Sequence, residues 1–153
     1  MRAMGLDVGT KTVGVAVSDE LGMTAQALTT LRRTNGRADL EALAGLAAER
    51  GATHLVVGLP RNMDGSEGPS AALARSLGDR LAERTGLPVT YWDERLTTRE
   101  AQRALLEADV SRARRRKVID QVAAALILQG WLDAQAGARA GEDGPEQGDW
   151  SDS

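Results

Sequence analysis

Hydrophobic and polar positions alternate with different periods along the chain, and these periods predict a mixed α/β domain. Residues 3–8 form a short apolar run, and residues 12–18 alternate with β-branched side chains. Only three residues separate the two segments, which is short enough for a β-hairpin. A third strand is predicted over residues 24–31, so the first three strands should form an antiparallel meander.

The middle of the chain alternates between helical and strand-like patterns. Residues 35–51 place leucine and alanine at helical spacing and end in a glycine, which predicts a helix. Residues 53–59 form a continuous apolar strand of the kind that is buried on both faces of a parallel sheet. Pro69 then begins a helix that extends to about Thr85. Residues 87–92 form the last predicted strand.

The C-terminal third carries two predicted helices and a tail. Thr97 and Glu100 form a capping box for a helix through about residue 108. A basic connector leads to a final helix at about 117–136, which is apolar over much of its circumference. Residues 137–153 are Gly-rich, acidic and without periodicity, so we expect them to be disordered.

The predicted elements follow the order βββαβαβαα, which indicates an α/β fold. We expect a mixed five-stranded sheet with helices on both faces, formed by one domain over residues 1–136. The 153-residue chain is long enough to bury a core without disulfides or a structural metal.

Composition excludes several classes of site. The chain has no cysteine and a single histidine, which rules out a disulfide framework, a thiolate zinc site and a cysteine nucleophile. His54, at the start of a strand, is expected to be structural. The absence of cysteine and of a signal-peptide pattern predicts a cytoplasmic protein with no membrane partner. Few aromatic residues are present, so any contact with nucleic acid should be mainly electrostatic.

Charge is distributed unevenly. The net charge is −3, but residues 139–153 alone contribute −4, so the rest of the chain is nearly neutral. Residues 95–117 hold eight basic and three acidic side chains. This local excess predicts a surface that contacts phosphates.

Carboxylates occupy the ends of several predicted core elements. Asp7 lies almost at the end of the first strand, on the face that it shares with two small neighbours, Gly5 and Gly9. Asp93 and Glu94 follow the last strand and must point to opposite faces, and the pattern alone does not choose between them. Asp120 lies in the first turn of the final helix, where it could also simply complement the helix dipole.

Convergence of these acids would demand a counter-charge. Two carboxylates ~5 Å apart repel each other by ~3 kcal/mol at an effective dielectric of 20, so such a cluster needs a cation or must take up protons. An all-oxygen donor set suits Mg²⁺ or Mn²⁺. We therefore expect a divalent metal site if the acids meet.

Four blocks of this sequence resemble the motifs of the YqgF family. They are DVGTKTVGVAVSD, VVGLPRNMDGSEGP, DERLTT and KVIDQVAAALILQGWL, which span about residues 3–136. The family is described as RNase H-like Holliday junction resolvases and pre-16S rRNA nucleases. The resemblance implies an RNase H-like fold and a phosphodiesterase that uses two metal ions held by Asp7, Glu94 and Asp120. It also favours Glu94 over Asp93.

The resulting hypothesis is a metal-dependent endonuclease that acts on structured nucleic acid. Processing of the pre-16S rRNA 5′ end needs one active site, whereas resolution of a Holliday junction needs two symmetric cuts and hence a homodimer. Two alternatives stay open. The stretch Asp7-Val8-Gly9-Thr10 also occurs in actin-like ATP-binding phosphotransferases, and a nucleic-acid-binding protein without catalysis would share the basic surface.

Several residues near these acids are predicted to contact nucleic acid. The basic run just before the final helix would lead phosphates towards Asp120, and the loop that begins at Arg61 follows a strand ending near the acids. The predicted contacts are Lys11, Arg61, Asn62, Arg95, Arg112, Arg114, Arg115, Arg116 and Lys117.

Overall fold

The computed structural model describes residues 1–96 and 112–142, with the side chains of the second range described at 122–138. The strands in these ranges are β1 Ala3–Val8, β2 Thr12–Ser18, β3 Ala25–Arg32, β4 His54–Leu59 and β5 Val89–Asp93. The helices there are α1 Gly36–Glu49, α2 Pro69–Thr85 and α3 Arg112–Glu142, and a 3₁₀ turn covers Glu94–Leu96.

The described strands form one mixed sheet in the order β3-β2-β1-β4-β5. The first three are antiparallel neighbours, whereas β1, β4 and β5 are parallel. The carboxyl ends of β1, β4 and β5 therefore meet at one edge of the sheet, called here the carboxyl edge. The turn between β1 and β2 lies at the same edge.

Each face of the sheet packs against helices. On one face, Met4 and Leu6 of β1 are fully buried in a cluster that includes Leu43 of α1 and Leu77 of α2. On the other face, Ala3 and its neighbours pack against α3. These small residues let α3 approach closely. A methyl group on Gly5 would lie 2.8 Å from Leu128 Cβ and 3.1 Å from the Ala124 carbonyl oxygen.

The structure confirms the predicted α/β architecture and most element boundaries. Asn35 caps α1, because its side-chain oxygen accepts a hydrogen bond of 2.9 Å from the Ala38 N–H. Gly86 follows the predicted end of α2 at Thr85 and caps the helix with a left-handed backbone. The predicted helix at 97–108 lies outside the described residues. No described helix is both long enough and apolar enough to cross a membrane.

Two expectations about the C-terminal region are wrong. Helix α3 begins at Arg112, so the basic run forms its first turns instead of a connector. The helix also continues through Gly137 to Glu142, six residues into the segment expected to be disordered. Arginine and alanine are good helix formers, and each of the two glycines in this extension, Gly137 and Gly141, costs only about 1 kcal/mol. The remainder of that segment, 143–153, lies outside the described residues.

Candidate active site

Asp7 is the penultimate residue of β1 and sits at the carboxyl edge. It pairs with Gly14 of β2, and its side chain is half-buried. Because side chains alternate along a strand, Asp7 shares the α3 face with Ala3 and Gly5. The register pairs Leu6 of β1 with Val57 of β4, so the residue beside Asp7 on β4 is Gly58.

Glu94 follows β5 directly, in the 3₁₀ turn, and its side chain lies over Gly58. A methyl group on Gly58 would come within 2.6 Å of Glu94 Oε1 and 3.1 Å of its Cγ. The Glu94 carboxyl is also within hydrogen-bonding reach of Asp7. Gly58 thus provides the space in which acids from two non-adjacent strands, β1 and β5, meet across β4.

The electrostatics of the Asp7–Glu94 pair indicate that it lacks a positive counter-charge. The pKa of Glu94 is raised to about 8 by burial, by the negative charge of Asp7, by the hydrogen bond with Asp7 and by the charge of Asp93. Without a cation, the pair therefore holds a proton near neutral pH. A hard divalent ion would replace that proton, so the donor set fits Mg²⁺ or Mn²⁺.

Asp93 has a different environment, although it is adjacent in sequence. The Arg95 guanidinium binds both of its carboxylate oxygens, with the closest N–O distance 2.6 Å. This hydrogen bonding lowers the pKa of Asp93. The structure thus distinguishes two acids that the strand pattern could not, since Glu94 contacts Asp7 whereas Asp93 is bound by Arg95.

Asp120 lies in α3, whose direction follows from two contacts of the helix. Ala124 passes over Gly5, whereas Gln129 contacts the opposite edge, where it accepts from the Ala25 N–H and donates to the Met23 carbonyl. A helix rises 1.5 Å per residue, so the backbone at Asp120 is ~6 Å nearer the carboxyl edge than Ala124. Its side chain lies outside the described part of the chain. Among described side chains, no group of three acids or histidines forms a metal site.

The predicted nucleic-acid contacts differ in their environments. Arg61 lies 3.8 Å from Glu67, Arg95 is paired with Asp93, and Asn62 donates a hydrogen bond of 2.9 Å to Ser66 Oγ. Lys11 is exposed in the β1–β2 turn. The remaining members, Arg112 to Lys117, lie in the first turns of α3, and their side chains are not described.

Two features of the site were missed from the sequence. Gly58 carried a usable signal, because a glycine inside a strand often marks the close approach of another group. Arg33 carried none. Its guanidinium donates to Asp39 Oδ2 and to the Gly9 carbonyl, each at 3.1 Å, and so joins α1 to the turn after Asp7.

His54 is remote from the acids. It begins β4 at the opposite edge of the sheet, and its ring lies 5.9 Å from that of Trp131. No other histidine exists in the chain, so a Ser-His-Asp hydrolase has no candidate base.

The acid pair predicts an unusual dependence of stability on pH in the absence of metal. Native Glu94 keeps its proton to about pH 8, whereas the unfolded side chain loses it near the ordinary value of 4.5. The native state then binds more protons between these values, so stability should be highest near pH 5 and fall as the pH rises through 8. We expect the melting temperature in EDTA to follow this trend.

Millimolar Mg²⁺ or Mn²⁺ should raise the melting temperature most at high pH, where binding releases no proton. A metal concentration ten times the Kd would stabilise by about 1.4 kcal/mol, or about 3–6 °C at this chain length. Glu94→Gln is the control and should remove both the pH trend and the metal response. Identical melting curves in EDTA and in metal would count against this site.

Two solved structures share the architecture at low sequence identity. RuvC from T. thermophilus, in complex with a Holliday junction substrate, has a TM-score of 0.59 and 16% identity over 90% of this chain and 96% of that one. Fowlpox virus resolvase with Holliday junction DNA has a TM-score of 0.54 and 10% identity over 88% and 99%. The fold is therefore the RNase H-like fold found in resolvases.

Sequence comparison identifies the family within that class. The model of the RuvX family, described as Holliday junction resolvase, matches residues 1–134, so the chain belongs to this family, which is the YqgF family of the motifs. A relative from Myxococcus xanthus is 67% identical over 134 residues, covering 88% of this chain and 89% of its own. One from Symbiobacterium thermophilum is 62% identical over 136 residues, covering 89% and 94%. Both carry the name "Putative pre-16S rRNA nuclease".

Proposed function

We propose that this protein is a metal-dependent endonuclease that hydrolyses phosphodiester bonds in structured nucleic acid. The observation that carries the proposal is the contact between Asp7 and Glu94, whose mutual repulsion and burial hold a proton where a cation would fit. Family membership supports the same conclusion, because the RuvX family is described by Holliday junction resolution and close relatives are named for pre-16S rRNA cleavage.

In this proposal, Asp7 and Glu94 hold the metal, and Asp120 completes the site from α3. Mg²⁺ or Mn²⁺, with two ions expected when substrate is bound, would lower the pKa of a water and neutralise the leaving oxygen. The carboxylates orient the ions relative to the scissile phosphate. Gly58 leaves room for Glu94 against the sheet, so Asp7 would be positioned by β1, Glu94 by the 3₁₀ turn that directly follows β5, and Asp120 by α3.

The basic first turns of α3 would hold the phosphate backbone. Arg112 to Lys117 precede Asp120 on the same helix, which approaches the carboxyl edge from outside the sheet. At 1.5 Å per residue, the helix carries these cations up to ~12 Å beyond Asp120. Phosphates bound along this segment would be led to the metal ligands without any reading of base sequence.

The two candidate substrates differ in what they require of the protein. A four-way DNA junction needs two symmetric cuts and a two-fold dimer, whereas a precursor rRNA end needs one active site.

An actin-like phosphotransferase is not favoured, because that architecture binds a nucleotide between two domains. The described residues here form a single five-stranded sheet with its flanking helices, and the matched region spans 89% and 94% of the two relatives.

A panel of labelled substrates tests the proposal. Wild-type protein is incubated with Mg²⁺, Mn²⁺ or EDTA and with four-way junction DNA, duplex DNA, single-stranded RNA or precursor 16S rRNA. We expect metal-dependent cleavage of the junction or of the rRNA precursor, and none by Asp7→Asn. Binding without cleavage in every metal would instead indicate a protein without catalysis, and cleavage that persists in EDTA would rule out the metal site.

A further inference from the structure

We propose that Lys11, Arg32 and Arg37 form a basic surface on the β3 side of the acid pair, and that this surface binds the phosphate backbone of a substrate duplex. The inference rests on the proposed nuclease function and extends it, because Arg32 and Arg37 belong to none of the sequence motifs that point to the site. We call these three residues the β3-side basic surface.

Three elements bring these residues together at the carboxyl edge. Lys11 lies in the turn that follows β1, four residues after Asp7. Arg32 is the last residue of β3 and pairs with Thr12, the residue after Lys11. The chain then turns into α1, which carries Arg37 in its first turn. All three side chains are exposed.

The charges on the two sides of the acid pair are balanced differently. On the β5 side, Arg61 and Arg75 both contact Glu67, and Arg95 is bound to Asp93. A phosphate there must displace a carboxylate that the protein already supplies. This competition weakens the case for Arg61 and Arg95 as the main phosphate contacts.

On the β3 side, the cations have no close ion-pair partner among the described residues. Among the residues that the structure describes, Lys11, Arg32 and Arg37 have neither an ion pair nor a side-chain hydrogen bond. The acid one turn after Arg37 is Glu41. Arg84 binds both of its carboxylate oxygens, and the charge of Arg37 acts on it more weakly. Exposed cations without a close ion-pair partner, next to a proposed phosphodiesterase site, favour a polyanionic ligand.

A buried ion pair holds this surface in place. Arg33 and Asp39 are paired at 3.1 Å, with only 17% and 9% of their side chains exposed. Arg33 also donates to the Gly9 carbonyl through its side chain and to the Lys11 carbonyl through its backbone N–H. Asp39 in turn accepts from the Thr34 N–H. The β1–β2 turn, the end of β3 and the start of α1 therefore form one braced unit, so phosphate binding would order only the exposed side chains and not the backbone.

The salt dependence of binding tests the inference. All variants carry Asp7→Asn so that substrate stays intact, and anisotropy measures the Kd for labelled four-way junction DNA and duplex RNA between 50 and 200 mM salt, a range of about fourfold. The test variant is Lys11→Gln/Arg32→Gln/Arg37→Gln. A Lys11→Gln/Arg32→Gln double variant leaves α1 unchanged if the triple variant folds poorly. The matched control for the double variant is Arg2→Gln/Arg50→Gln, which removes the same charge from the opposite edge of the sheet.

We expect the slope of log K against log salt to fall by ~0.9 for each DNA phosphate that the variant no longer neutralises, or ~2.7 for the triple variant, with little change in the control. An unchanged slope in the triple and double variants, or an equal fall in the control, would overturn the proposal that the β3-side basic surface binds phosphates. That outcome would not bear on cleavage by the wild-type protein, so the nuclease proposal would stand. Failure of the wild-type protein to bind or cleave any substrate would overturn the nuclease proposal, and this inference with it.

Discussion

Asp7→Asn and Glu94→Gln should each abolish cleavage and leave nucleic-acid binding intact or stronger. Each substitution keeps the shape of the side chain but removes a metal-ligand charge. Losing about 4 kcal/mol of transition-state stabilisation would lower the rate by about 10³-fold. Binding should persist because the variant also removes repulsion between the acid and substrate phosphates. Single-turnover cleavage and anisotropy on the same substrate measure the two effects separately.

Asp93→Asn is the matched control for Glu94→Gln, since the two residues are adjacent and both carboxylates are replaced by amides. Asp93 is bound by Arg95, so we expect only a small decrease in rate. Substantial activity in Glu94→Gln would remove Glu94 from the metal site. Equal decreases in both variants would indicate that the turn after β5 matters as a whole, not the acid pair.

The fold could be predicted because local signals and the hydrophobic pattern agree along most of the chain. The apolar run that forms β4 is buried on both faces, and the proline at the start of α2 is where helix geometry tolerates it. The sequence also indicated that Asp7 faces a side of the sheet lined by small residues. Its role as a metal ligand, like that of Glu94 and Asp120, stays a prediction.

What could not be predicted depends on contacts between residues far apart in sequence. Alternation placed Asp93 and Glu94 on opposite faces, but only the packing shows that Glu94 lies over Gly58 and reaches Asp7. The Arg33 pair with Asp39 gives no periodic signal, because it joins a strand end to a helix start. The predicted start of α3 is five residues late, because arginine is a good helix former and a basic run looks the same in a loop.

Gly58 offers a test of the site that leaves every ionisable group in place. In Gly58→Ala, the new methyl group would clash with Ile127 Cδ1 and lie 2.6 Å from Glu94 Oε1, so both side chains must move. Movement of Glu94 separates it from Asp7, and displacement of a catalytic group by about 1 Å can cost ~10²-fold in rate. We expect the rate to fall ~10–10²-fold, with weaker metal binding measured by the metal-induced rise in melting temperature.

Two further variants separate this effect from simple packing. Gly45→Ala, in α1 where a methyl group meets nothing within 4 Å, should keep full activity and add up to about 1 kcal/mol of stability. Gly58→Ala/Ile127→Val removes the Cδ1 atom and so relieves the apolar clash while the contact with Glu94 remains. The double variant should regain thermal stability but not activity. Full recovery of cleavage would show that Gly58→Ala lowers the rate by disturbing the packing of Ile127 under α3. It would also show that displacement of Glu94 is not the cause of the lower rate.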